Sequence, residues 1–573
     1  MAKNLYKAKF EDNLPLGGIA TGHITLGCDG SITAQAPTFF AIKAEKGGEL
    51  LDARILQSSQ SEAVILPCFE NASAASFFPF TEICFSGSSF PFDVKMTAFS
   101  PFIPLSDTDS GIPAVLFELE VTNKEDSRVD CSVCLVSANV NRDGINRMGC
   151  TDTGEAYIHL SGNGKDAPNT CIATGGKNVS FCEYTCADAF IKNFTENETL
   201  YNTTKSEYSF PFASGALCTH FSLGKGEVKR VSFCLSWYSP ENEFSRNYYA
   251  QYFESGLECA SYVFRQKERL HGASTEFCQN ILGATLPENV LEEVNKDLFS
   301  FTGKGYIRLD DGCLMSGERI RFSDTDSFIC RSDILASMFP DLSYSETESF
   351  YKSGMFDSAG DEDMLTHILA SYRKYILCGD NDSLIEDWYY ISKCMEKVFG
   401  EDGNIKSKAD GKLLTCAIGA AVEMSDAVKD KKRHELYSSM LDNMPPCQTS
   451  MDIAEGYAKI NEISRFEYNA VSKHIGFSPD SDACPLDFGN TFRCFFCTPT
   501  CYGYVEEGID YIEINLLHGV LTVRSFGVPR TPRLVQYGGR NWKFTNENLV
   551  AVLDSDLEIT PQKKLTIFID IKQ

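Results

Sequence analysis

Two stretches carry residue types at spacings that suggest chemistry. "RCFFCTPTC" sets Cys494, Cys497 and Cys501 close together, with Cys484 upstream. A C-x2-C pair joined by a third and fourth cysteine can hold zinc or an iron–sulfur cluster through its thiolates. The competing reading is buried free thiols in a cysteine-rich chain, because cysteine packs as a small hydrophobe. That reading is preferred, so neither a metal nor a cofactor is expected. A second C-x2-C, Cys131 and Cys134, falls in a strand-like run, where alternation turns the two side chains to opposite faces. The other stretch is "NLPLGGIATGHITLGCDGSITAQ", with Gly17, Gly18, Gly22, Gly27 and Gly30. A phosphate-binding loop needs Gly-Lys-Ser/Thr or G-x-G-x-x-G ahead of a helix. Here no lysine follows until Lys43, and "HITLG" then "CDGS" reads as strand and tight turn. The glycines therefore serve positive φ and close strand approach. The 8 histidines show no H-x3-H spacing, and no G-x-S-x-G elbow occurs.

The elements that would position any site follow from composition and period. The 573 residues suffice for two to four domains. A net charge of −27 repels phosphate backbones, so nucleic acid is excluded as a partner. The N-terminal residues lack the apolar core of a signal peptide, and no window approaches the length of a membrane span. Both features predict a cytoplasmic chain whose 23 cysteines stay reduced.

Residues 1–240 alternate in short runs such as "PAVLFELEVTN" and "RVDCSVCLVSANV", broken by Gly, Asp, Asn and Pro clusters. This pattern predicts an antiparallel β-sandwich. The period becomes helical near Glu241, and residues 241–300 read as linker helices. Residues 301–505 continue as helices. In "DEDMLTHILASYRKYILCGD", Leu365, Ile368, Leu369, Tyr372, Tyr375 and Ile376 recur at i, i+3, i+4, i+7. Asp361, Glu362 and Asp363 lead that helix, where acids complement its dipole, and Gly379 supplies a stop. Residues 506–573 return to strands and read as a small C-terminal β module.

A family likeness runs through these segments. "LPLGGIATGHITLGCDGS", "AFSPFIPLSDTDSGIPAVLFELEVTN" and "VSFCLSWYSP" resemble the N-terminal domain of glycoside hydrolase family 116, the non-lysosomal glucosylceramidase and β-glucosidase family. "NYYAQYFESGLECASYVFRQKERL" is similar to its linker helices. "LPENVLEEVNKDLFSF" followed by "YIRLDDGCLMSGE" is similar to the entry into its catalytic domain. The likeness is nearly continuous from residue 12 to about 345. It implies a multidomain β + α chain, with the sandwich packed on an (α/α)6-type helical barrel, and a retaining mechanism on β-linked glucosides without a metal. An (α/α)6 barrel needs six helix pairs. The periodicity supplies material for about four, so the expected barrel is shortened.

A retaining glycosidase needs two carboxylates, one ionised as nucleophile and one held protonated as acid/base. Aligned on "LDDG", the family's glutamate falls on Glu318; aligned backwards from Asp326, it falls on Met315. The first register makes Glu318 the nucleophile. The second removes the nucleophile and leaves Asp326 a sugar-binding role. Beside Arg319 and Arg321, Glu318 also fits a solvated loop acid. The family's D-Q-T-Y-D-like acid/base segment is missing, as is its proline-histidine-aspartate substrate loop. "GEDGNIKSKADG" offers only Asp402 and Asp410, both turn-like. Asp326, Asp361 and Asp363 remain as candidates for the second carboxylate, and Asp324, Asp361 and Asp363 as substrate contacts. "GNTFRCFFCTP" resembles the family's sugar-binding segment: Arg493 matches its first arginine, and Thr498 stands at the second.

The resulting expectation is a β-glucosidase-type hydrolase acting on a small glycoside or oligosaccharide. The alternative is a non-catalytic homologue that binds carbohydrate or serves as a partner subunit. A shortened barrel leaves apolar helix faces to cover, by a second copy in a homo-oligomer or by another chain in a hetero-oligomer.

Overall fold

The computed structural model describes residues 14–60, 65–201, 213–242, 244–285, 291–292, 295, 298–299, 301–302, 306–316, 335, 338–352, 359–378, 381–400, 407, 409, 411–444, 474–476, 492–528, 530–547 and 549–571. The chain divides into two compact units. One comprises Met1–Ile103, Thr108–Thr275 and Leu298–Gly312, and the other Pro104–Asp107, Glu276–Asp297 and Cys313–Gln573.

The first unit is built on two antiparallel sheets. The five-stranded sheet runs Val179–Tyr184, Ser214–Leu223, Val129–Ala138, Thr38–Lys46, Glu49–Ile55. The eight-stranded sheet runs Ile145–Cys150, Ala156–Ser161, Asn169–Thr174, Val228–Tyr238, Ala114–Asn123, Phe92–Phe99, Phe80–Ser86, Asn71–Phe77. Val129–Ala138 lies at the centre of the smaller sheet and is buried on both faces, hence its nearly unbroken apolar run. Its neighbour strand contributes Phe40, whose ring meets Phe117 at 5.1 Å and Phe233 at 5.4 Å, edge to face. Those two rings belong to the larger sheet, so this contact joins the inner faces in the geometry aromatic quadrupoles favour.

Helices close both outer faces. Phe190 and Phe194 of the Ala187–Glu196 helix cover Phe39, Ala41, Cys134, Val136, Cys182 and Cys218 of the smaller sheet. Lys43 on that face is 1% exposed; its ammonium donates to Asn197 O at 2.6 Å and pairs with Glu45 at 2.9 Å. A cation there satisfies carbonyls at the end of the helix, where the dipole is negative. On the larger sheet, Cys259, Ala260 and Val263 of the Gly256–Arg265 helix cover Phe99, Leu116, Cys171 and Cys234. Ser255 starts that helix by accepting the Glu258 N–H.

The glycine-rich opening is strand, turn, strand, as its pattern predicts: Leu14–Leu16, Ile24–Leu26 and Ile32–Thr33 form one small antiparallel sheet. Gly22 and Gly30 have φ of 79° and 93°. Gly18 is needed for close approach instead, because a Cβ there would lie 2.5 Å from the Ile112 carbonyl oxygen. Trp237 Nε1 donates to Thr21 O at 2.6 Å and fixes the same loop.

In the second unit, the helices Pro340–Lys352, Asp361–Cys378, Asn381–Phe399, Gly411–Ala427 and Lys431–Asp442 share one apolar cluster. Leu365, Ile368, Leu369 and Tyr372 are buried in it, as their spacing predicts, while Gly379 lies outside the described residues. A six-stranded sheet follows in the order Phe492–Thr498, Cys501–Glu507, Tyr511–Gly519, Leu565–Ile569, Pro532–Tyr537, Arg540–Trp542. A four-stranded sheet contains His474–Gly476, Leu521–Gly527, Val550–Ile559 and Phe544–Glu547. Among the described residues, no helix is long and apolar enough to cross a membrane.

Replacing Gly18 by alanine forces a Cβ against backbone that has no rotamer with which to yield. We expect the variant to unfold at lower denaturant, with a loss of about 2–3 kcal/mol. A chemical denaturation curve checks this, and an unchanged midpoint contradicts it.

Candidate active site

Glu318, Asp324 and Asp326 lie outside the described residues, as do Asp402, Asp410 and Cys484. The chain that leads to Glu318 is described. Leu314–Ser316 is a short strand, and Leu314 is fully buried. The Leu314 N–H donates to Ser345 Oγ at 2.8 Å, and Cys313 Sγ lies 2.8 Å from Ser349 Oγ. Ser345 and Ser349 stand one turn apart on the Pro340–Lys352 helix and share its face. The strand is thus fixed to the helix two residues before Glu318. Met315, where the alternative register puts the family's glutamate, is half-buried within that strand and carries a thioether that cannot ionise.

Asp361 and Asp363 share the first turn of the Asp361–Cys378 helix. Asp361 is exposed, and Asp363 Oδ2 accepts the Gly360 N–H at 3.1 Å. Both carry out helix-terminal work, satisfying an orphan donor and complementing the dipole.

Arg493 and Thr498 share the strand Phe492–Thr498. Five residues apart, they point to opposite faces. The Arg493 guanidinium stacks on Tyr504 at 4.0 Å, and its buried Nε has no hydrogen-bond partner among the described residues. Its backbone is held at both ends by Thr285, whose N–H donates to Arg493 O at 2.8 Å and whose Oγ1 accepts Arg493 N–H at 2.9 Å. The side chain lies so close over Gly283 that a Cβ there would sit 2.5 Å from Nη1. Thr498 is buried, and its hydroxyl accepts the Cys501 N–H at 3.1 Å, closing the hairpin that follows. Cys494, Cys497 and Cys501 are buried, and burial pushes Cys501 up to about 11. Among the described residues, no three His, Cys, Asp or Glu side chains are placed to hold a metal.

Sequence reasoning missed two features of the helical core. Glu346 is only 5% exposed on the Pro340–Lys352 helix, next to the Ser345 that anchors the strand. Its signal was an acid midway between Leu342 and Phe350, at core spacing. Lys374, 4% exposed, donates to Asp387 at 2.6 Å beneath the Tyr344 ring.

The first unit is an antiparallel β-sandwich with helices on its outer faces, and it is this unit that carries the family match. Residues 13–270 match the model described as beta-glucosidase 2, glycosyl-hydrolase family 116 N-terminal domain, so that span is identified as this domain. No curated protein matches the chain. Among solved structures, a bacterial glucoamylase complexed with acarbose is similar at 8% identity and a TM-score of 0.42, over 78% of this chain and 66% of that one. A candidate kojibiose phosphorylase from human microbiome is similar at 9% identity and a TM-score of 0.43, over 96% of this chain and 91% of that one. A family GH92 alpha-mannosidase from Bacteroides thetaiotaomicron follows at 11% identity and 0.34, over 75% and 63%.

His367, on the same helix as Asp361, is buried with its ring stacked on Phe350, and burial pulls its pKa from 6.5 down to about 3. A histidine so depressed stays neutral when folded but takes a proton when unfolded. Its contribution is therefore complete above pH 6.5 and is lost progressively as pH falls toward about 3. At pH 5 the loss is about 2 kcal/mol. Thermal melts at pH 7 and pH 5 should show a smaller drop for His367→Phe than for wild type; equal drops contradict the burial argument.

Proposed function

We propose that the chain is a retaining β-glycosidase acting on β-linked glucosides, with Glu318 as nucleophile and Asp326 as acid/base. The observation that carries the reading is the family-116 N-terminal domain over residues 13–270. The strand held by Ser345 and Ser349 supports it, because it brings the chain to Glu318 from a fixed point. Asp326 is preferred to Asp361 and Asp363 because those two are committed to the start of their helix. The helices form a shortened (α/α)6-type barrel in this reading, the last strands form its C-terminal β module, and the protein works in the cytoplasm.

Chemically, Asp326 protonates the glycosidic oxygen as Glu318 attacks the anomeric carbon from the opposite side. Asp326 then takes a proton from water, which releases the sugar with its configuration retained. The step requires the two carboxyl groups roughly 5–5.5 Å apart. Arg493, held flat by Tyr504, and Asp324 contact the sugar hydroxyls, and no metal or cofactor takes part. A second reading, a carbohydrate-binding homologue without turnover, is favoured by Thr498: a threonine stands where the family has an arginine, and its hydroxyl is used in its own hairpin.

Turnover of a panel of aryl β-glycosides separates the two. The proposal expects hydrolysis of β-glucosides by wild type, its loss in Glu318→Gln, and a fall of about 10²–10⁴-fold in kcat for Asp326→Asn. Asp361→Asn should stay near wild type. Full activity in Glu318→Gln contradicts the assignment. Sugar binding with no turnover by wild type favours the second reading.

A further inference from the structure

Cys134 and Cys218 stand directly opposite each other on the adjacent strands Val129–Ala138 and Ser214–Leu223. The hydrogen-bond phase of this pair of strands is set by Asn139, whose N–H donates to its partner Ala213 O at 3.0 Å. Antiparallel pairs alternate, so Cys134 and Cys218 form a non-hydrogen-bonded pair. On the far side, His220 N–H bonds to Asn178 O at 2.9 Å, which agrees with that phase. Opposed residues of this type have Cα atoms about 4.5 Å apart, within the range that a disulfide spans. Both thiols are free and fully buried, on the face covered by Phe190 and Phe194. His220 follows Cys218 on the same face, with its ring nitrogens 2.8 Å from Ser132 Oγ and 2.7 Å from Ser180 Oγ.

We propose that Cys134 and Cys218 are a redox-sensitive dithiol that closes to a cross-strand disulfide under a small neutral peroxide. This is independent of the glycosidase reading. The two thiols are not equivalent. Burial raises Cys134 well above the usual thiol range; at Cys218 burial also acts, but the neighbouring Cys134 and His220 outweigh it and hold this thiol lower. Cys218 is therefore the attacking sulfur, because the thiolate is the nucleophile. Its sulfur takes one oxygen of hydrogen peroxide to give the sulfenic acid, and the other oxygen leaves as water with the thiol proton. Cys134 sulfur then attacks the Cys218 sulfur, and the sulfenic oxygen leaves as a second water with the Cys134 proton. Two thiols lose two electrons, and one peroxide becomes two waters. The closed loop spans residues 134–218 and includes the Ala187–Glu196 helix that covers the pair.

The test uses the folded full chain treated with hydrogen peroxide, then alkylated in denaturant, digested and mapped by mass spectrometry. The expected product is one linked peptide pair joining Cys134 to Cys218, lighter by two hydrogens than the two reduced peptides and restored by dithiothreitol. Cys182→Ser, which alters a neighbouring thiol on this face, should give the same linkage, and Cys134→Ala should abolish it. Full alkylation of both cysteines after peroxide overturns the proposal. So does linkage of either to a different cysteine, or Cys218 oxidised to the sulfinic acid beside an intact Cys134.

Discussion

The strand Val129–Ala138 is covered on both faces, and the first unit depends on that constraint. Its inner side chains and those of its neighbour meet the larger sheet through the rings of Phe40, Phe117 and Phe233. Its outer ones, Cys134 and Val136, meet the Ala187–Glu196 helix. With side chains alternating at a period of two, a slip of one residue exchanges the two sets and breaks both interfaces at once. Register here is consequently well specified. The same register brings Lys43 to the end of the covering helix and sets Cys134 against Cys218.

The second unit uses a different device near its proposed chemistry. A short strand cannot hold itself in place, and Leu314–Ser316 is held by a buried leucine and by two serine hydroxyls of one helix. The helix is in turn packed into the apolar cluster that buries Leu365, Ile368 and Leu369. Polar groups inside this cluster are paired with care: Lys374 meets Asp387, and Tyr372 donates to Glu423.

Much of the architecture was legible locally. The glycine-rich opening read as strand and turn because a phosphate loop demands residues it lacks, and the Asp361–Cys378 helix followed from the spacing of its apolar side chains. Partnerships across long sequence separation were not legible. Nothing in "RVDCSVCLVSANV" tells that Cys134 faces Cys218, since register is fixed by packing between distant strands. Thr498 looked like a substitution for a sugar-binding arginine, yet its hydroxyl closes a hairpin whose geometry depends on Cys501. Arg493 matched a family position, but its stacking on Tyr504 comes from the facing strand. Glu346 could have been found, because an acid at a core position of a helix is a conflict that asks for a reason.

The central claim is that Glu318 forms a covalent bond to the sugar during turnover. The most direct measurement is the intact mass of the protein after incubation with an activated 2-deoxy-2-fluoro-β-glucoside, which slows breakdown of a glycosyl-enzyme ester, followed by peptide mapping. The account predicts one added fluoroglucosyl group, located on the peptide that contains Glu318 and absent from Glu318→Gln. A wild-type enzyme that turns over glucosides but carries its adduct on another carboxylate, or forms none, would contradict it.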